Sequence, residues 1–348
     1  MIPLAEKLRE KNNNIIIGAG EEHLSFFRKE LPGLTYIDFP GYRPGYSRFL
    51  PQYIKLLLKT PVLLYHIIRE HLMLKKIIRE HDIDMVISDN RFGLWNREII
   101  SVYITHMPLI PFPKALSFLE FIGILLHRTI IKRYSFCFIP DLPGELNISG
   151  RLSHGICLPG NVRYIGLLSR FSGTKTTVAD NPVTVRHNTV ILSGPEPQRE
   201  ILKQKLTDIL KDKEPPAVFL GGKPAGSGKM VRDGNIICFD HLPSAAMKEV
   251  ITNSDAIITR SGYTVIMELI SLGCTALLIP TPGQTEQEYL ALSLAEKGWF
   301  KTVSQKKLKG EIPLTSAKPG WTSELTEQSK LLFDEALKEL LIKEQKES

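Results

Sequence analysis

The sequence predicts an α/β protein of two Rossmann-like domains facing across a cleft, and three observations lead there. Short apolar runs alternate with segments of helical period in both halves of the chain, the pattern that packs helices on a parallel sheet. A polar stretch, 172–188, carries no long apolar run and divides the halves as a linker would. Residues 254–291 hold a whole βαβ unit: an apolar run at Ala256–Thr259, helical spacing over Gly262–Leu272, and a second apolar run at Thr275–Ile279 that stops at Pro280. The predicted divisions are a first domain at 1–171, the linker at 172–188, a second domain at 189–321 and a terminal helix within 322–348; 348 residues suffice for two cores.

Met1–Glu10 reads as a helix with Leu4 and Leu8 on one side, and Asn12–Asn14 turn the chain into a buried strand, Ile15–Gly18. Leu34–Phe39 is a second strand, followed by a loop at 40–46 too rich in Gly, Pro and Tyr to be regular. Leu50–Glu80 is a long basic helical region in which Pro61 either breaks the helix or opens its second half. Ile83–Ser88 is a strand that delivers Asp89 to the carboxyl edge, where open α/β sheets bind ligands, and Val102–Thr105 is another, ending at His106. Asp89 and His106 are the first domain's candidates for a catalytic base, the alternative for His106 being a hydrogen-bonded structural residue. Phe136–Ile139 is a further strand, followed by a polar turn at Asn147–Ser153 and an apolar run at Tyr164–Leu168. A doubly wound domain normally opens with a strand and a glycine-rich turn ahead of its first helix. Neither precedes Met1–Glu10, so either the frame starts upstream of Met1 or the chain has lost that element.

The second domain opens with the strand Thr189–Leu192, which leads into Ser193-Gly194, and a helix follows at Arg199–Lys211. Ala217–Leu220 is the next strand. The string GGKPAGSGKM after it departs from a P-loop at the first glycine, where Lys223 stands, and at the Ser/Thr position, where Met230 stands, and reads as a flexible loop. Ile236–Phe239 is a strand leading into Asp240-His241-Leu242-Pro243, and Ser244 is placed to cap a helix at Ser244–Ser254. In the βαβ unit, Arg260-Ser261-Gly262 can bring backbone N–H groups to an anion at a helix N-terminus. Ser261, Thr264, Glu268 and Ser271 share one narrow polar stripe of the helix that follows. A carboxylate on that stripe suits a ribose, because it accepts from a diol. Gln284, Gln287 and Glu288 come after the second strand, at the carboxyl edge; the alternative for these and for Glu268 is solvation of helix surfaces. Gly298 stops the next helix, and Thr322–Glu344 is charged and amphipathic, with Leu331, Leu332, Leu337, Leu340 and Leu341 as its apolar positions.

Arg260-Ser261-Gly262, Glu268 and Gln287-Glu288-Tyr289 resemble the donor-nucleotide region of family 28 glycosyltransferases, and the RSGY, ELISLG and PGQTEQEY strings resemble an uncharacterised prokaryotic branch of these GT-B enzymes. The resemblance implies GT-B architecture, with the last helix crossing back to the first domain. It implies a nucleotide diphosphate sugar as donor, a UDP-sugar, with Glu268 on the ribose and Gln287 and Glu288 on the sugar, Glu288 standing where the family has Gln. Ser193-Gly194 would approach the diphosphate, and the base would lie along Phe239 and His241. The implied chemistry is direct displacement at the anomeric carbon. The histidine that the resemblance makes the general base belongs to the absent glycine-rich turn.

A formal charge of +7 and a pI near 9.1 favour anionic partners. No helix-turn-helix, RNP or zinc-finger pattern appears, so nucleic acid is not expected. Between Gln52 and Arg133, 12 Lys and Arg stand against 7 Asp and Glu, interleaved with large apolar residues. That suits a peripheral membrane surface, against the alternative of a solvated face on a buried core. No signal-peptide pattern opens the chain, and Ala115–Ile131 is interrupted by Glu120, His127 and Arg128 and falls short of the ~20 residues of a span. The expected location is the cytoplasm, with contact on the inner face of the membrane. Cys137, Cys157, Cys238 and Cys274 are scattered and read mostly as buried thiols, and no zinc spacing occurs, so no metal and no cofactor beyond the nucleotide-sugar co-substrate is expected. The expected function is a glycosyltransferase acting on a lipid-linked or envelope-glycan acceptor. The alternatives are a sugar-nucleotide 2-epimerase and a non-catalytic, partner-dependent nucleotide-sugar-binding subunit.

Overall fold

The computed structural model describes residues 1–41, 59–112, 116–172, 182–222, 226, 229–310, 312 and 319–347. Most of the loop expected at 40–46, the start of the basic helical region, residues 173–181 of the linker and half of the glycine-rich string after Leu220 lie outside the described residues. The chain divides into two compact units. One joins Met1–Pro40 to Leu168–Trp321, and the other joins Leu50–Leu167 to Thr322–Ser348, which holds the C-terminal helix.

The first unit is built on a seven-stranded sheet in the order β13-β12-β11-β7-β8-β10-β9. Its strands are β7 (His187–Ile191), β8 (Ala217–Leu220), β9 (Met230–Asp233), β10 (Ile236–Phe239), β11 (Ser254–Thr259), β12 (Leu277–Leu278) and β13 (Lys301–Thr302). All neighbours are parallel except β9, which pairs antiparallel with β10. Helices α5 (Gln198–Leu210), α6 (Ser244–Thr252), α7 (Tyr263–Ser271) and α8 (Thr285–Glu296) make the crossovers. Every residue of β7 and β8 is buried, as strands covered on both faces require. Leu202, Leu206 and Leu210 of α5 pack on Val190, Phe219 and Ile258 beneath them.

Strand order and chain order together expose the feature that places the site. From β7 the chain moves through β8 to β10 on one side, then returns to β11 on the other side and continues outward to β12 and β13. The order reverses between β7 and β11, and the crossovers leaving these two strands diverge there, opening a crevice outside their carboxyl ends.

Met1–Pro40 contributes α1 (Ile2–Glu10), α2 (Glu21–Glu30) and a parallel pair, β1 (Ile16–Ala19) with β2 (Thr35–Asp38). This segment groups with the seven-stranded unit, whereas the sequence reading assigns it to a first domain of 1–171. Side-chain contacts explain the grouping: Glu30 accepts from the Ser244 amide at 3.1 Å, and the Phe26 ring meets His241 edge-on at 6.1 Å. The same contact corrects the capping expectation. Ser244 is the first residue of α6, its own hydroxyl finds no partner, and Glu30 serves the exposed helix end.

Three further readings are corrected. Met230–Asp233 is a strand that starts on the last residue of the string that reads as a flexible loop; its four residues are all exposed, so no alternation marks it. The local signal is the Asp233-Gly234 pair, with Gly234 at φ +57, in the turn back to β10. Cys157 is an exposed thiol, and among the four cysteines only Cys137 is fully buried. The linker also ends earlier than 188, since His187 and Asn188 are buried in β7.

The second unit carries a parallel sheet in the order β3-β4-β5-β6, formed by Met85–Asp89, Ile100–Ile104, Phe136–Ile139 and Val162–Tyr164. Helices α3 (Thr60–His81) and α4 (Phe118–Ile131) belong to it. Pro61 lies in the first turn of α3, where its missing N–H costs nothing. Helix α9 (Ser323–Glu347) packs against the end of this sheet: Arg163 forks onto Glu339 at 2.7 and 2.8 Å, and the Leu167 amide donates to Ser329 Oγ at 2.6 Å. Gly166 sits beneath that contact at φ +68, where a Cβ would lie well inside van der Waals distance of the Ser329 backbone. Gly166→Ala should therefore lower stability by roughly 2 kcal/mol or more through backbone strain and displacement of α9. A thermal melt equal to wild type would contradict this account of how α9 is seated.

Candidate functional site

Two glycine turns meet the crevice between β7 and β11. Gly194, after β7, has φ +91, a conformation that a residue with a side chain rarely adopts, and Gly262, after β11, is extended at φ −75 and ψ 136. A Cβ built on either would meet nothing within 4 Å. Backbone conformation thus explains glycine at 194 and not at 262. At 262 the missing side chain leaves open space at the N-terminus of α7, which no side chain caps.

Arg260 holds this region together. Its side chain is fully buried, and the guanidinium donates to the carbonyls of Ile279 and Pro280, each at 3.2 Å, and of Gln198 at 2.8 Å. One side chain thereby ties the loop after β11 to the loop after β12 and to the start of α5. No carboxylate pairs with it among the described residues, and burial lowers its pKa to about 10. The sequence reading places Arg260 among the ligand-contacting residues; the structure places it beneath the loops, with both terminal nitrogens spent on backbone carbonyls and Nε buried without a partner.

Ser261 and Gln287 are likewise buried and directed inward. Ser261 Oγ donates to the Gln287 carbonyl at 2.8 Å, and Gln287 Oε1 accepts from the Thr281 amide at 3.0 Å. Glu288 is exposed and accepts from the Gly283 amide at 2.9 Å, while Gln284, at the N-cap of α8, has a buried Oε1 without a partner. These contacts fasten the loop after β12. Phe239 is buried at the end of β10, and His241 beyond it is half-buried with an unpartnered Nε2, its pKa lowered by burial.

The polar stripe of α7 is divided. Thr264 is exposed toward the open N-terminal end, whereas Glu268 is only 6% exposed. Glu268 pairs with Arg170, Nε to Oε1 at 2.8 Å and Nη2 to Oε2 at 3.3 Å, and Ser271 Oγ pairs with Ser169 Oγ at 2.6 Å. Burial raises the Glu268 pKa and Arg170 opposes that rise. Arg170 escapes sequence reasoning, because it lies in a run without a motif and meets Glu268 only through the fold.

In the second unit, Asp89 ends β3 and His106 follows β4, so both stand at the carboxyl ends of neighbouring parallel strands. The structure brings them to one sheet edge. Beneath that edge lies a buried pair that no sequence pattern announces: His127 Nε2 is 2.9 Å from the Tyr103 hydroxyl and Nδ1 is 3.0 Å from the Pro108 carbonyl. Burial holds the imidazole neutral, with a pKa of about 4, so Nδ1–H donates to Pro108 and Nε2 accepts from Tyr103.

These units have the GT-B fold. The glycosyltransferase SnogD from Streptomyces nogalater aligns at TM-score 0.58 with 16% identity over 99% of this chain and 94% of its own. Spinosyn rhamnosyltransferase SpnG complexed with thymidine diphosphate aligns at 0.57 with 12% identity over 100% and 91%. Within that fold, residues 232–315 match the glycosyltransferase family 28 C-terminal domain. A stretch of 70 residues is 40% identical to the UDP-N-acetylglucosamine--N-acetylmuramyl-(pentapeptide) pyrophosphoryl-undecaprenol N-acetylglucosamine transferase of Bacillus cytotoxicus, covering 20% of this chain and 19% of that protein. An uncharacterized glycosyltransferase of Methanosarcina acetivorans is 26% identical over 185 residues, 51% of this chain and 46% of its own. The match therefore spans less than half the length of either relative.

The buried neutral His127 carries a pH signature. Its folded pKa of about 4 lies below the ordinary value of 6.5, so the unfolded chain binds the extra proton between those values. The stabilisation is complete above about 6.5 and is lost as pH falls toward 4. His127→Asn should flatten that part of the pH dependence of thermal unfolding, and an unchanged pH dependence would contradict the assignment.

Proposed function

We propose that this protein is a glycosyltransferase that transfers a sugar from a nucleotide diphosphate sugar, a UDP-sugar, to a lipid-linked or envelope-glycan acceptor. The observation that carries the reading is the pair of open glycine turns at the point where the strand order reverses, one of them lying in the segment that matches the family 28 C-terminal domain. The relative from Bacillus cytotoxicus is named for a UDP-sugar donor, and SpnG was solved with a nucleoside diphosphate. Both support a nucleoside diphosphate as the ligand class.

In this reading the diphosphate lies over Gly194 and Gly262, where the uncapped N-terminus of α7 and the turn amides meet the charge that grows on it as the glycosidic bond to phosphate breaks. The acceptor oxygen forms the new bond to the anomeric carbon, and its proton passes to a base. Asp89 and His106, at the carboxyl edge of β3 and β4, are this chain's candidates for that base. Glu268 accepts from the ribose hydroxyls, and Thr264, Gln284 and Glu288 border the donor. Charge on the leaving group is met by protein groups, and the reading assigns no metal.

UDP should protect the purified protein against heat, and Glu268→Gln should weaken that protection by roughly tenfold in UDP concentration, the cost of one charge-assisted hydrogen bond. Unchanged UDP affinity in Glu268→Gln would sink the assignment. Donor consumed without any acceptor would point instead to an epimerase.

The membrane part of the reading rests on the second unit. The outer face of α4 is apolar: Phe118, Phe121, Ile122, Leu125 and Leu126 are each about half exposed or more, at i, i+3, i+4, i+7 and i+8. On α3, Val62, Tyr65, Ile68 and Leu72 are exposed as well, and Lys75, Lys76 and Arg79 continue toward its C-terminus. Both helices flank Trp95, which stacks on His71 of α3 and lies under Arg133 just beyond α4. Apolar ridges beside cations suit an anionic bilayer surface, and no described helix is long and apolar enough to cross a membrane. Wild type should sediment with vesicles rich in phosphatidylglycerol and the double variant Phe121→Glu, Leu125→Glu should not. Equal sedimentation of both would remove the membrane part of the proposal.

A further inference from the structure

The carboxylate that the donor reading assigns to the ribose is already engaged. Arg170 reaches Glu268 from a segment 98 residues earlier in the chain and meets both of its oxygens. Its own position is fixed: the guanidinium lies 5.0 Å over the Phe171 ring and 6.0 Å from the Phe26 ring, and Nη2 is 3.1 Å from Met247 Sδ. The neighbouring Ser169–Ser271 pair fastens the same segment to α7 one turn further on. An arginine held on three sides does not wander from its partner.

A carboxylate oxygen has two acceptor positions. Arg170 donates to Oε2 through Nη2 and sits beside Oε1 as an ion pair whose Nε makes no hydrogen bond, so each oxygen of Glu268 keeps at least one acceptor position. A vicinal diol presents two donors at matching spacing, so the pair can take a ribose without being broken. We propose that Arg170 is the positioning residue of the donor site: it orients Glu268 so that the remaining lone pairs face the ribose diol of a nucleoside diphosphate. This rests on the donor-site reading above.

The electrostatics support the geometry. Glu268 is buried deeply enough that desolvation raises its pKa, and Arg170 is the largest opposing influence, followed by the smaller effect of the Met1 amino group. His241, with Lys29 and Glu30 of α2 beside it, also senses Arg170. Without Arg170 the carboxyl would take up a proton at higher pH than in wild type. A protonated Glu268 loses an acceptor and gains a donor, so its grip on the diol would weaken as pH falls, and in the variant that weakening would start at a higher pH.

The test compares UDP with 2′-deoxy-UDP on the full chain by calorimetric titration from about pH 4 to 8.5, a range spanning ordinary carboxyl and imidazole titration. Wild type should prefer UDP. Arg170→Met should bind UDP roughly tenfold or more weakly, as expected when a buried charge loses its partner, with the loss growing as pH falls. Its preference over 2′-deoxy-UDP should shrink, and Arg170→Lys, which keeps the charge without the fork, should restore part of it. Glu268→Gln should erase this pH dependence, and His241→Asn should keep it. An Arg170→Met protein with the wild-type pH profile and deoxy-discrimination would overturn the inference while leaving the donor reading intact. Should Arg170→Met fail to fold, full wild-type discrimination in Arg170→Lys would overturn it equally. A wild-type protein that ignores UDP at every pH would remove the donor reading, and this inference with it.

Discussion

The guanidinium of Arg260 is the constraint on which the seven-stranded unit's crevice depends. Parallel strands whose crossovers leave in opposite directions open a crevice, but the loops around it have no reason to hold one arrangement unless something spans them. Arg260 spans them by donating to carbonyls from the loop after β12 and from the start of α5 while its own backbone forms the loop after β11. Burying a cation without an acidic partner is costly, and backbone carbonyls only partly compensate. What remains is positive charge beneath two glycine turns and an uncapped helix end, all of one sign. An anion in that crevice would complete the electrostatics of the fold as well as occupy a site.

This arrangement explains why residue types in the motif are less informative than their placement. An arginine beside a glycine turn suggests direct contact with phosphate, yet here the side chain turns inward and the glycine faces outward. Ser261 and Gln287 follow the same logic, each spending its polar atoms on neighbouring backbone. The motif is in large part a device for holding two loops, and the groups left facing outward are backbone amides, Thr264 and Glu288.

How much of the molecule could be read in advance follows from how local its causes are. Phe136–Ile139, Ala217–Leu220 and Ile236–Phe239 are legible to the residue, because fully buried strands are continuous apolar runs closed by turn residues. The βαβ unit at 254–291 is legible for the same reason, and its helix boundaries move by only a residue at each end. Met230–Asp233 is not, because an exposed edge strand takes its stability from pairing with β10 and shows no hydrophobic period. The cap on α6 is not legible either, since Glu30 arrives from more than two hundred residues away. Arg170 belongs to this last kind: no local pattern separates an arginine that completes a buried carboxylate from one that is merely solvated.

Helix α4 shows the same principle in reverse. Its interruption by Glu120, His127 and Arg128 reads from sequence as what spoils an apolar run, yet in the structure Glu120 and His127 turn inward. His127 is buried against Tyr103 and Pro108, and Glu120 accepts from the Phe112 amide at 2.9 Å. Because the polar groups are satisfied on the protein side, the apolar residues are left on the outer side, the opposite of an ordinary surface helix. A helix arranged this way buries polar groups at a cost and exposes an apolar stripe at a further cost. Both costs are recovered together if the outer stripe meets an apolar medium.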